Sequence, residues 1–122
     1  MQEAKKTIII AEDDTTSFKL LKVYLAGGNY EIIRTINGEQ TIEQFKNNPH
    51  TALILMDLKM HGIDGYEATR EIKKLNPELP IIAQTAYALT GDETKALEAG
   101  CDAYVTKPIK KDDFLALISR YL

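Results

Sequence analysis

Five short apolar runs rich in β-branched residues, each followed by a segment of helical spacing, constrain this chain more than any other feature. The runs are Thr7 to Glu12, Glu31 to Thr35, Ala52 to Asp57, Ile81 to Gln84 and Ala103 to Val105. Strand and helix in regular alternation is the pattern of repeated βα units, an α/β fold with a parallel sheet between two layers of helices. Ile8-Ile9-Ile10, Leu53-Ile54-Leu55-Met56 and Ile81-Ile82 are apolar on consecutive residues, as strands covered on both faces must be. These three strands are expected in the middle of the sheet.

Between the strands, Phe18, Leu21, Tyr24 and Leu25 make one helical stripe, Ile42 with Phe45 and then Tyr66, Ile72 and Leu75 make shorter ones, and Phe114, Leu117, Ile118, Tyr121 and Leu122 a strong last one. The fourth helix, about Gly91 to Ala99, offers chiefly Ala96, Leu97 and Ala99, so it buries little surface and is expected to dock weakly. Turn signals stand where the scheme needs them, at Gly27-Gly28-Asn29, Asn37-Gly38, Asn76-Pro77, Pro80 and Gly100. At 122 residues and 44% hydrophobic, one domain over residues 1–122 can build a core without disulfides or a structural metal. No apolar stretch approaches the roughly 20 residues of a membrane span, and no secretory signal is visible. The single Cys101 is expected to be buried, and one unpaired cysteine fits a reducing cytoplasm. A formal charge of −3 offers no basic field for direct binding to nucleic acid or an anionic membrane.

Right-handed crossovers bring every strand's C-terminal end to one edge of the sheet, where open α/β sheets bind ligands. There the first strand delivers Glu12-Asp13-Asp14, the third Asp57, the fourth Thr85 and the fifth Thr106-Lys107-Pro108. Clustered carboxylates raise one another's pKa or demand a cation, and an all-oxygen site with few protein ligands suits Mg²⁺. Asp57 ends a buried strand and so projects in a fixed direction, as a nucleophile should. Lys107 and Mg²⁺ can neutralise a phosphoryl group in transfer while Thr85 donates a hydrogen bond to it. Removing Glu12, Asp13, Asp14, Asp57 and Lys107 leaves a balanced chain, so the net charge is expected to be concentrated at this site.

Four segments together resemble the receiver domain of two-component response regulators: Ile9-Ile10-Ala11-Glu12-Asp13-Asp14, Met56-Asp57-Leu58-Lys59-Met60 with Gly62 and Asp64-Gly65, Thr85-Ala86, and Tyr104-Val105-Thr106-Lys107-Pro108. The resemblance covers essentially the whole chain. It implies a flavodoxin-like, doubly wound (βα)5 fold with strand order 2-1-3-4-5. It also implies that Asp57 accepts the phosphoryl group from a phosphohistidine on a sensor histidine kinase or histidine phosphotransfer protein, and later loses it to water. Asp13, Asp57 and the Lys59 backbone carbonyl would bind Mg²⁺, with Glu12 acting through water. Thr85 and Tyr104 would be the switch pair, Lys107 the phosphate-pairing lysine, and Lys107-Pro108 a cis bond. The implied output is a change in the face of helix four, strand five and helix five, read by a partner or a second copy. His61 and Ile109 depart from the family pattern. Thr85 to Leu89 and Gly100 to Tyr104 look like receivers of hybrid sensor histidine kinases, so the chain could be one segment of such a protein.

Plainer readings stand beside these. Glu12-Asp13-Asp14 could be a helix-capping run, Asp57 a loop acid, Thr85 a capping hydroxyl, Tyr104 a strand aromatic and Lys107 a surface lysine. His50 and His61 are expected in exposed loops. An aspartyl phosphatase of haloacid-dehalogenase type also uses a strand-end aspartate and Mg²⁺, but it needs a second aspartate where this chain has Lys59. A flavodoxin-like cofactor module needs a phosphate cradle where Glu12-Asp13-Asp14 would repel one. A receiver degenerate in its chemistry would lack one of the parts that are all present here.

Overall fold

A computed structural model describes residues 5–60, 62, 64–85 and 92–122. Five strands, β1 (Lys6–Ala11), β2 (Tyr30–Thr35), β3 (Leu53–Asp57), β4 (Ile81–Thr85) and β5 (Ala103–Thr106), alternate with five helices. The helices are α1 (Thr15–Leu25), α2 (Gly38–Asn47), α3 (Gly65–Leu75), α4 (Asp92–Ala99) and α5 (Lys111–Ser119). The strands form one parallel sheet in the order β2-β1-β3-β4-β5, which puts the three consecutively apolar strands in the middle as their sequence requires.

Strand geometry sends successive side chains to opposite faces, so an unbroken apolar run feeds two cores at once. Ile9, Ala11, Ile54, Met56, Ile81 and Ala83 meet Phe45 of α2, Ile72 of α3 and Ala96 of α4 on one face. Ile8, Ile10, Leu53, Leu55 and Ile82 meet Leu21 and Leu25 of α1 and Phe114 and Ile118 of α5 on the other. Ile8, Ile9 and Ile10 are wholly buried, each burial stabilising the fold by about 1.5–3 kcal/mol before entropy is set against it.

Two expectations change. β1 ends at Ala11, paired with Met56, so Glu12 lies just past the strand, although its N–H still donates to the Thr35 carbonyl at 2.9 Å. Leu75 is 54% exposed, because the buried stripe of α3 runs through Ala68, Thr69 and Ile72 and the last turn has passed the core. Ile109 is a core residue packed with the α1 and α5 side chains. The thin docking of α4 holds: Ala96 and Ala99 are buried, whereas Leu97 is half exposed. Cys101 is buried, and that burial pushes its thiol up to about 11. His50 is exposed, while Met1 to Ala4, His61, Ala86 to Leu89 and the start of the fourth helix at Gly91 lie outside the described residues.

Candidate functional site

The C-terminal edge gathers the chain's chemistry because each strand ends there and the next helix must be capped there. Asp14, Asn37 and Asp64 follow β1, β2 and β3 and cap α1, α2 and α3, accepting from the N–H groups of Ser17 (2.8 Å), Gln40 (2.8 Å) and Glu67 (2.9 Å). The capping reading of the acidic run is therefore right for Asp14, which is exposed, whereas the Glu12 oxygens meet the Lys107 ammonium and the Asp14 N–H. Assigning the whole net charge to the site thus counted one carboxylate too many.

Carboxylate oxygens of Glu12, Asp13 and Asp57 lie within 4.8 Å of one another. Glu12 is wholly buried and Asp57 is 5% exposed, so neither charge is relieved by bulk water. Lys107 answers both: its ammonium donates to Glu12 Oε1 and to Asp57 Oδ2, the latter at 3.3 Å. The other Asp57 oxygen, Oδ1, accepts from the Lys59 N–H at 2.9 Å, which fixes the carboxylate plane. Burial, and then a hydrogen bond with Asp57, push the Glu12 carboxyl up to about 7 against the opposing pull of Lys107. Burial alone would lower the Lys107 ammonium, but its bonds to Glu12 and the charge of Asp57 outweigh that and raise it. A buried carboxyl whose pKa is raised in spite of an adjoining ammonium marks a site prepared for more positive charge.

The scaffold aims these groups through backbone contacts. The Lys107 N–H donates to the Thr85 carbonyl at 2.8 Å, and the Lys107-Pro108 bond is cis. Tyr24 of α1 donates its hydroxyl to the Ile109 carbonyl at 2.9 Å and pins the turn that follows. Thr85 is fully buried at the end of β4, and Tyr104 of β5 packs half-buried against the α2–α4 side of the sheet. A cavity of about 350 Å³ opens beside Lys107, walled by Ser17, Leu20, Gln84 and Ile109.

The family model of the response regulator receiver domain matches residues 8–119. The chain belongs to that family. The polar-differentiation response regulator DivK of Brucella ovis is 35% identical over 119 residues, 96% of each chain. The receiver domain of sensor histidine kinase PA1611 from Pseudomonas aeruginosa PAO1, whose structure carries a magnesium ion in the active-site cleft, is 32% identical with a TM-score of 0.87, over 97% of this chain and 98% of that one. The co-crystal of the Saccharomyces cerevisiae phosphotransfer protein Ypd1 with the Ssk1 receiver domain contains a chain of TM-score 0.86 and 25% identity, covering 99% of this chain and 91% of its own length. Receiver membership leaves the dehalogenase-type alternative without support. The protein is a receiver domain of two-component signalling.

Two residues at the site have a part that the sequence reading did not assign: Gly65, named there only as a motif glycine, and Arg34, not named at all. Gly65 opens α3 so close to β3 that a Cβ there would stand 2.5 Å from the Asp57 carbonyl oxygen. Arg34, at the end of β2, donates from Nε to the Glu12 carbonyl (3.2 Å) and from Nη2 to the Asp13 carbonyl and Thr15 Oγ1 (3.3 Å each). Its guanidinium also lies 4.9 Å from the centre of the Phe18 ring. Strand order is the signal that could have found Arg34, since it stands opposite Ile10 in the β1–β2 ladder, two residues before the acidic pair.

Proposed function

We propose that this receiver, one domain over residues 1–122, accepts a phosphoryl group on Asp57 from a phosphohistidine of a sensor histidine kinase or phosphotransfer protein, in a Mg²⁺-dependent reaction. The observation that carries the reading is the meeting of three carboxylates and one ammonium at the end of a buried strand. An Asp57 carboxylate oxygen forms the new P–O bond as the P–N bond to the donor imidazole breaks, and water later cleaves the acyl phosphate to restore Asp57. Lys107 is placed to pair with the phosphoryl oxygens, and the Lys59 N–H orients the nucleophile. The oxygens of Glu12, Asp13 and Asp57 fit a hard cation, with the Lys59 carbonyl as a further ligand and Glu12 acting through water. Mg²⁺, when bound, supplies charge neutralisation for the transferring group. Apolar walls beside Lys107 suit the approach of an imidazole.

Output follows from Thr85 and Tyr104. Thr85 moves to a phosphoryl oxygen, Tyr104 turns into the space released, and α4, which is held mainly by two alanines, shifts with little loss of burial. The reading surface is the α4–β5–α5 face, taken by an output partner or a second copy. The proposed location is the cytoplasm, on the strength of receiver-family membership; no helix among the described residues is long and apolar enough to cross a membrane. Likeness to the PA1611 receiver favours a segment of a hybrid sensor kinase, whereas the full-length match to DivK favours a single-domain regulator; the coding sequence on either side decides.

Incubation with acetyl phosphate and Mg²⁺ is expected to add the mass of one phosphoryl group, removable by hydroxylamine and absent in Asp57→Asn. A mass gain that persists in Asp57→Asn overturns the assignment.

A further inference from the structure

We propose that Arg34 is a positioning residue that sets the Mg²⁺ affinity of the acidic pair by holding the backbone of the β1–α1 loop, an inference that rests on the functional reading above. Glu12 and Asp13 belong neither to β1 nor to α1; the Glu12 N–H is held by the Thr35 carbonyl, but no ladder or helix bond fixes the carbonyls of Glu12 and Asp13. Arg34 takes that place. Its planar fork accounts for three acceptors over four residues, the Glu12 and Asp13 carbonyls and Thr15 Oγ1. The Phe18 ring, one turn into α1, holds the guanidinium from the side. Lysine cannot reproduce this, because one ammonium on a flexible stem lacks the rigid fork that reaches several acceptors together. The carbonyl directions fixed by Arg34 determine where the Glu12 and Asp13 side chains start, and so how nearly their oxygens converge with those of Asp57.

Charge and geometry make opposite demands on this residue. As a cation near the site, Arg34 repels Mg²⁺, so removing its charge alone tightens binding. As a clamp it organises the ligands, so loosening it weakens binding. Groups that orient metal ligands typically cost on the order of tenfold in affinity when lost, and the positioning role predicts weakening.

The experiment follows Mg²⁺ binding by backbone amide NMR, and the rate of Asp57 phosphorylation by acetyl phosphate against Mg²⁺ concentration, in wild type, Arg34→Lys and Arg34→Ala. Arg34→Lys keeps the charge and is expected to raise the Mg²⁺ midpoint roughly tenfold, with the rate at saturating Mg²⁺ returning towards the wild-type value. A purely structural role would lower thermal stability and leave the midpoint where it was. Arg34→Ala is expected to bind more weakly as well; tighter binding there, or an unchanged midpoint in Arg34→Lys, overturns the proposal. Should Arg34→Ala fail to fold, Arg34→Lys alone still decides. Wild-type protein that neither binds Mg²⁺ nor becomes phosphorylated would instead overturn the functional reading, and the two failures are distinguishable.

Discussion

Glu12→Gln is expected to make the metal-free protein more stable above neutral pH and to flatten its stability against pH. The folded-state carboxyl is pushed up to about 7, chiefly by burial and then by its bond with Asp57, from an ordinary 4.5. An acid whose folded pKa is raised holds its proton more tightly folded than unfolded. That stabilisation is complete below about 4.5 and is lost as pH climbs through about 7. At about 1.4 kcal/mol per pH unit, the interval amounts to roughly 3 kcal/mol. Glutamine stands in for the protonated form at every pH and retains an acceptor for Lys107. Against this, the Asp14 N–H that now donates to Glu12 Oε2 at 3.2 Å can lose its partner, at a cost of about 1 kcal/mol. The variant should therefore gain about 2 kcal/mol over wild type at pH 8 and little or nothing at pH 5. Urea unfolding in EDTA buffer, read from pH 5 to pH 8 on both proteins, measures the difference, in which the titrating groups that do not interact with Glu12 cancel. Parallel curves across that window would show that the Glu12 carboxyl is not raised, and the account of its burial beside Asp57 would fall with it.

Gly65→Ala should cost about 1–3 kcal/mol in the same unfolding assay, since its Cβ would be driven to 2.5 Å from the Asp57 carbonyl oxygen and backbone must move; a neutral result would mean that α3 is free to withdraw from β3. Asp14→Ala should lower the thermal midpoint through loss of the Ser17 cap yet leave the Mg²⁺ titration unchanged, and a shifted titration would restore Asp14 to the metal cluster. Cys101, its thiol raised to about 11 and its side chain buried, should resist a disulfide reagent at pH 8 in the folded protein and react promptly in denaturant; rapid reaction of folded protein would contradict the packing around it.

What could be read in the sequence divides along a physical line. Ile8-Ile9-Ile10 announced a strand covered on both faces because burial acts on side chains, and side chains are what a sequence records. Asp57 stood out for the same reason: a carboxylate ending four buried apolar residues has nowhere else to project. The acidic run was ambiguous because helix capping and cation binding both select carboxylates; only the three-dimensional path of the loop sends Asp14 to the Ser17 N–H and Glu12 towards Lys107. Leu75 misled because helical spacing says which side of α3 faces the sheet but not how far along its axis the sheet extends.

Arg34 marks the other side of that line. Its two loop carbonyls are backbone groups that every residue possesses, so no pattern of residue types points to it, and only the pairing of β2 with β1 brings it within reach. Gly65 is legible as a glycine but not as one required by the Asp57 carbonyl. Around Asp57, then, the residues proposed to do the chemistry are named by side-chain type, and the residues that hold them in register act on main-chain atoms. An inventory of site residues drawn from motifs alone therefore omits those that hold the binding geometry, and a nominally conservative change such as Arg34→Lys can leave every motif intact while loosening the site that the motifs describe.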